Sequence, residues 1–180
     1  MFRAIINFIR KRKIGRDRSN VPTGFIPVSS ISSADIVIDV EDPEFEGLQK
    51  DIAAWGRSNG IKTNIFFLDF RKTDKNAGLL SDEKATILKK ELNWYGLPPQ
   101  EKAAMLSGEG KDLFISMISN GDFPIEYISK CSKARFKIGR QRFAGDAFDM
   151  VLSGENGSPV SEAGSRQVFT AIADFLTKIR

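Results

Sequence analysis

The sequence has 180 residues, of which 41% are hydrophobic, so it can form one domain with an ordinary core. A single cysteine excludes an internal disulfide, and the lack of histidine excludes Ser-His-Asp and Cys-His catalysis as well as histidine metal sites and pH switches. The net charge of +4 is uneven: residues 1–20 carry seven basic residues and one acidic residue, whereas the other 160 carry 20 basic and 22 acidic residues.

The first predicted element is a basic amphipathic helix within residues 1–20. Phe2, Ile5, Ile6 and Ile9 recur at helical spacing. Three roles are open for this helix: binding an anionic membrane surface, docking to RNA or an acidic protein, or packing on its own domain with the charges solvated. The basic side chains that would make an external contact are Arg3, Arg10, Lys11, Arg12 and Lys13.

The folded body begins with a strand, a helix and a second strand. Residues 34–40 are an apolar, β-rich run typical of a buried strand. Asp42 is expected to cap the helix that follows, and residues 61–70 form the next strand. This order predicts two parallel strands. We therefore divide the chain into the basic helix (1–20), a connector rich in proline, glycine and serine (21–33) and one α/β domain (34–180).

The remaining elements continue this alternation. Residues 82–92 have a helix-forming composition with a fair apolar stripe, and Trp94 with Tyr95 is expected to pin a loop to the domain or to stack on a ring-bearing ligand. The later elements are a helix at 99–107, a strand at 112–119, a helix at 123–132, strands at 134–139 and 148–152, and a helix at 160–180. The pattern predicts a doubly wound, mostly parallel sheet of five strands, Rossmann-like or flavodoxin-like, preceded by the amphipathic helix.

Five segments, in this order and spacing, carry a resemblance: ADIVIDVEDPE, LNWYGLPP, DLFISMIS, FPIEYISKCSKARFKIGR and FDMVL. Together they resemble a family of short bacterial proteins known only as a domain of unknown function, which implies no activity, cofactor or catalytic residue. Residues 112–115, 132–135 and 138–139 also look like the acceptor-side domain of heptosyltransferase-like glycosyltransferases. That second resemblance implies a fold, with function only by analogy.

Polar side chains are expected beyond the carboxyl ends of the strands, where open α/β sheets bind ligands. The candidates are Asp39, Asp42, Asp69, Ser119, Asn120 and Arg140. Their carboxylates could hold Mg²⁺ as in phosphoacceptor receiver domains, but Ser119 and Ser153 stand where a receiver has aspartate and lysine. The turn after the first strand is acidic and lacks the glycines of a dinucleotide site. No metal or cofactor is therefore assigned.

No catalytic set is recognisable, and Cys131 is expected to be a buried packing thiol. We expect a non-catalytic, cytoplasmic binding or adaptor domain that contacts an acidic partner or surface through its basic helix. No apolar run approaches the roughly 20 residues that a membrane-spanning helix needs. The alternative is a small enzyme or ligand-binding protein for a phosphorylated or sugar-like compound at the strand ends. Residues 21–180 are expected to fold without the helix.

Overall fold

The computed structural model describes residues 2–71, 80–152 and 164–179, and these contain one sheet of six parallel strands and five α-helices. The strands are β1 (Ser33–Asp39), β2 (Lys62–Asp69), β3 (Thr86–Leu88), β4 (Leu113–Ser116), β5 (Phe136–Gly139) and β6 (Met150–Val151). The helices are α1 (Phe2–Asp17), α2 (Phe45–Asn59), α3 (Gln100–Ser107), α4 (Phe123–Cys131) and α5 (Ser165–Lys178).

The strands lie in the order β3-β2-β1-β4-β5-β6, which is the order of Rossmann dinucleotide-binding folds. β1 is central and pairs with both β2 and β4, so that Val37 lies between Phe66 and Ser116. The direction in which strands are added reverses between β1 and β4. The predicted doubly wound, mostly parallel, Rossmann-like fold is confirmed.

Helices cover both faces because successive side chains of a strand point to opposite sides of the sheet. Ile36 and Ile38 of β1 pack with the apolar sides of α2 and α5. Val37 points the other way and packs with residues of α3 and α4, such as Leu106 and Ile128. α1 lies on this second face, where its closest neighbour is α4.

The structure differs from the sequence-based prediction within residues 82–92. This segment has a helix-forming composition, yet Thr86–Leu88 forms β3 at the edge beside β2, and a 3-10 turn follows at Lys89–Glu91. Ile87 is almost completely buried, and tertiary burial of this kind outweighs local propensity. The sheet therefore has six strands and not five.

The prediction that Asp42 caps α2 is wrong. The helix begins at Phe45, and Glu44 occupies its N-cap position. The Asp42 carboxylate instead accepts a hydrogen bond from the N–H of Glu44 at 2.8 Å, which is the geometry of an Asx turn. Asp42 thus shapes the turn between β1 and α2. Ser153 and residues 72–79, between β2 and β3, lie outside the described residues.

Candidate functional site

A cleft of about 680 Å³ opens at the carboxyl edge of the sheet. It is lined by Glu41 after β1, Phe70 after β2 and Asp122 after β4, and also by Arg10 and Lys11 of α1. Ligands of doubly wound folds bind in this crevice, beside the point where the strand order reverses. The basic helix and the strand ends, which the sequence presents as separate candidates, therefore lie side by side.

The end of β1 is strongly acidic. Burial raises the pKa of Asp39, and the negative charges of Glu41, Asp42 and Asp122 raise it further, although the N–H of Glu41 donates a hydrogen bond to Asp39 at 2.8 Å. Grouped carboxylates repel a phosphate and suit a hydroxyl-bearing or cationic ligand. The described residues contain no group of three or more aspartate, glutamate or cysteine side chains placed to hold a metal ion.

Asp69 and Asp42 already have partners within the protein. The Arg71 guanidinium donates to both carboxylate oxygens of Asp69, at 2.9 and 2.8 Å, and it lowers the pKa of this buried carboxyl. The Ser165 hydroxyl at the start of α5 donates to Asp42 at 2.9 Å, and Arg140 lies 3.9 Å from the other oxygen of Asp42. The Asp69 pair is local, whereas the contacts of Asp42 join the turn after β1 to the end of β5 and to the start of α5.

The last two strand-end candidates are more open to solvent. Ser119 and Asn120 follow β4 and are both exposed. The Asn120 side-chain oxygen accepts a hydrogen bond from the N–H of Asp122 at 3.4 Å, which shapes the turn before α4. Of the six predicted strand-end residues, Ser119 and Asn120 are exposed, whereas Asp39, Asp42, Asp69 and Arg140 are partly or fully buried.

The C-terminal half of α1 is attached to the domain. Asp17 accepts a hydrogen bond from the Tyr127 hydroxyl at 2.6 Å and pairs with Lys13 at 2.8 Å. Burial raises the pKa of Asp17, but hydrogen bonds from Arg16, Lys13 and Tyr127 outweigh burial and hold this pKa far below its usual value. This end of α1 therefore belongs to the folded domain.

A second attachment holds the middle of α1. Arg10 donates a hydrogen bond to the carbonyl oxygen of Tyr95 at 2.7 Å. Its guanidinium carbon also lies 4.3 Å from the centre of the Phe123 ring, a distance suited to a cation–π contact. Of the five cations predicted to face a partner, Arg10 and Lys13 thus bind the protein itself.

The other side of α1 presents large apolar residues to solvent. Phe2, Ile5 and Phe8 are 66%, 48% and 65% exposed. Trp94 is 59% exposed and lies beside the first turn of α1, with its ring centre 6.2 Å from that of Phe2. The sequence-based stripe did not include Phe8, although its spacing of three residues from Ile5 places the two on one side of the helix.

Three of the predicted partner-binding cations, Arg3, Lys11 and Arg12, are exposed. They lie along the same helix as the exposed apolar residues. We call the combined set the α1 outer surface, and it consists of Phe2, Arg3, Ile5, Phe8, Lys11 and Arg12.

Other sequence predictions are also resolved. Cys131 is buried as predicted, and burial raises its pKa to about 11, so the thiol is protonated at neutral pH.

The prediction that both aromatics of the 93–98 turn pin a loop holds for Tyr95, which packs against the core, but is wrong for exposed Trp94. No helix of the described residues is long and apolar enough to span a membrane.

A family model described as a family of unknown function, DUF6913, matches residues 3–161. The chain belongs to this family. The match begins in α1 and extends past β6, so α1 is part of the DUF6913 sequence. No curated protein and no solved structure matches the chain. The bacterial origin and the heptosyltransferase resemblance stay predictions, and the family description assigns no activity.

Proposed function

We propose that this DUF6913 protein is a binding domain that contacts an acidic partner or surface through the α1 outer surface. The observation that carries the proposal is that α1 is bound to the domain and still exposes large apolar side chains. One side is bound to α4 through Asp17 and Tyr127, while the other presents Phe2, Ile5 and Phe8 to solvent. Neighbouring large apolar residues that stay exposed on a folded domain mark an interaction site.

The charges on α1 indicate that the partner is negatively charged. Arg3, Lys11 and Arg12 are exposed along the helix, and each cation near an anionic surface contributes about 1 kcal/mol of attraction. The only acidic residue of α1, Asp17, is neutralised by its own partners. Because the helix is already held in place, binding does not have to order it first.

Charge reversal on the α1 outer surface tests the proposal. The variant R3E/R12E is compared with K50E/R57E, which makes the same change of net charge on exposed positions of α2. Three acidic probes are titrated at low and moderate salt: phosphatidylserine-containing vesicles, single-stranded RNA and polyglutamate. We expect at least one probe to bind the wild type and the control equally and R3E/R12E at least about tenfold more weakly.

Two results would overturn this function. If none of the three probes binds the wild type, the proposal that the partner is acidic is wrong. Equal loss of binding in R3E/R12E and K50E/R57E would show that net charge, and not the α1 outer surface, is responsible. Circular dichroism of both variants checks that each is folded.

A second candidate is a small-ligand site in the cleft at the carboxyl edge of the sheet, with or without enzymatic activity. It is supported by the position of this cleft beside the reversal of strand order between β1 and β4. Its lining combines three cations, Arg10, Lys11 and Lys89, with three carboxylates, Glu41, Asp122 and Glu126, so a polar compound with or without a phosphate group fits its charges.

A thermal-shift screen of sugars and sugar phosphates tests the cleft. A ligand that fits should raise the melting temperature of the wild type and not that of Glu41→Gln, a variant chosen because this exposed carboxylate lines the cleft. Ser119→Ala, at an exposed neighbouring position, tests whether the effect extends to the end of β4. If no compound shifts the wild type, the cleft is not a site for this class of ligand.

A further inference from the structure

We infer that the partner of the α1 outer surface is an anionic lipid bilayer, on which α1 lies with Phe2, Ile5, Phe8 and Trp94 among the lipid headgroups. This inference rests on the proposed function and names the class of acidic surface. Three features of the structure support it: the arrangement of the apolar side chains, the added tryptophan and the distribution of charge.

The apolar side chains form a line on a helix. Phe2, Ile5 and Phe8 follow one another at intervals of three residues, so they run along one side of α1 over its first two turns. A convex line of this kind can lie in the plane of a bilayer interface. Single-stranded RNA favours a positively charged groove that follows its backbone, whereas this line stands on the outside of a helix.

A distant part of the chain extends the same apolar patch. Trp94 comes from the turn before α3, yet its ring lies 6.2 Å from that of Phe2. It also packs edge-on against Tyr95, whose carbonyl oxygen is bound by Arg10 of α1. The domain therefore holds an exposed indole beside the first turn of the helix. Tryptophan is enriched at the boundary between lipid and water because its ring is apolar and its N–H is polar.

The charges on α1 suit an anionic membrane. Lys11 and Arg12 lie one turn beyond Phe8, and Arg3 is exposed in the first turn of the helix. Long basic side chains can keep their charge at the headgroups while their alkyl stems cover apolar surface. No carboxylate of α1 opposes this contact, because Asp17 is paired with Lys13 and Arg16 and accepts the Tyr127 hydrogen bond.

Vesicle binding by the full chain tests the inference. Vesicles of phosphatidylcholine with about one third phosphatidylserine are compared with phosphatidylcholine alone and with single-stranded RNA and polyglutamate, by sedimentation or anisotropy. Phe8→Ser is paired with Met105→Ser, which removes an apolar side chain that is 43% exposed on α3. We expect the wild type and Met105→Ser to bind only the phosphatidylserine vesicles, and Phe8→Ser to bind them at least about tenfold more weakly.

Tryptophan emission gives a second readout. Trp55 is buried against Phe169, whereas Trp94 is exposed, so a blue shift on adding vesicles should come from Trp94. The shift should disappear in Trp94→Phe and persist when salt is raised moderately. A wild type that binds vesicles without a shift, or Phe8→Ser that binds as tightly as Met105→Ser, would overturn the insertion of these side chains.

The outcomes separate the lipid inference from the proposed function. Binding of RNA or polyglutamate without binding of vesicles would overturn the bilayer as partner and leave the acidic-partner function in place. Equal binding to vesicles with and without phosphatidylserine would overturn the anionic requirement. Binding of none of the probes would overturn both.

Discussion

Replacing Tyr127 by phenylalanine should loosen α1 without damaging the core. The substitution removes only the hydroxyl that donates to Asp17 at 2.6 Å, and it keeps the ring that packs near Phe123. A hydrogen bond to a charged acceptor contributes about 1.5–3 kcal/mol. Asp17 keeps Lys13 and Arg16 as partners and is partly exposed, so we expect a loss near the lower end, about 1–2 kcal/mol.

Amide hydrogen exchange measures this loss where it occurs. A change of about 1–2 kcal/mol raises an opening equilibrium by about 5- to 30-fold, so amides in the last turn of α1 should exchange faster by that factor. Tyr95→Phe is the control, because its hydroxyl makes no hydrogen bond to the described residues. Unchanged exchange in α1 of Tyr127→Phe would refute the view that this hydrogen bond holds the helix to the domain.

Three further predictions concern the stability of the domain. Gly139→Ala should destabilise it by about 1–3 kcal/mol in urea unfolding, because a Cβ atom at Gly139 would overlap the ring of Phe148. Lys111→Met should cost about 3 kcal/mol, because it leaves the buried Asp35 carboxylate without the cation 3.0 Å away. The lowered pKa of Asp17 means that its carboxylate stabilises the native state above the usual aspartate pKa of about 3.9 and loses this effect as pH falls through the lower, folded-state pKa. The stability difference between wild type and Asp17→Asn should therefore be constant above about pH 5 and shrink below about pH 4.

Each of these has a control that could contradict it. Gly121→Ala places a Cβ atom in open space and should change stability little, so equal losses at the two glycines would refute the role of Phe148. Asp35→Asn combined with Lys111→Met should recover part of the loss, and full additivity would show that the two side chains are not coupled. A wild-type advantage over Asp17→Asn that stays constant down to about pH 3 would contradict the titration of Asp17.

The parallel core of the fold could be predicted because its signals are local. The run at 34–40 is mostly apolar and rich in β-branched residues. The helix after it has a clear end at Asn59-Gly60, where Gly60 takes the left-handed conformation. β3 could not be predicted, because it has three residues and depends on pairing with β2. The capping prediction for Asp42 failed because α2 begins three residues later, at Phe45, with Glu44 at the N-cap position. The contact of Asp42 with Ser165 could not be predicted either, since the two lie more than a hundred residues apart.

The candidate surface was only partly predictable. The basic composition of α1 indicated an external contact, but composition does not tell which cations point outward. Arg10 is held by Phe123 and Tyr95, and Asp17 by Tyr127, through contacts that span 85 or more residues of sequence. The position of Trp94 beside Phe2 likewise comes from the way the turn packs, which no local pattern encodes.

The affinity of R3E/R12E for phosphatidylserine vesicles, relative to that of K50E/R57E, tests the central claim most directly. The two variants have the same net charge and differ only in whether the reversed residues lie on the α1 outer surface or on α2. We predict that K50E/R57E binds like the wild type and that R3E/R12E binds at least about tenfold more weakly. Equal affinities of the two variants would contradict the assignment of α1 as the contact surface.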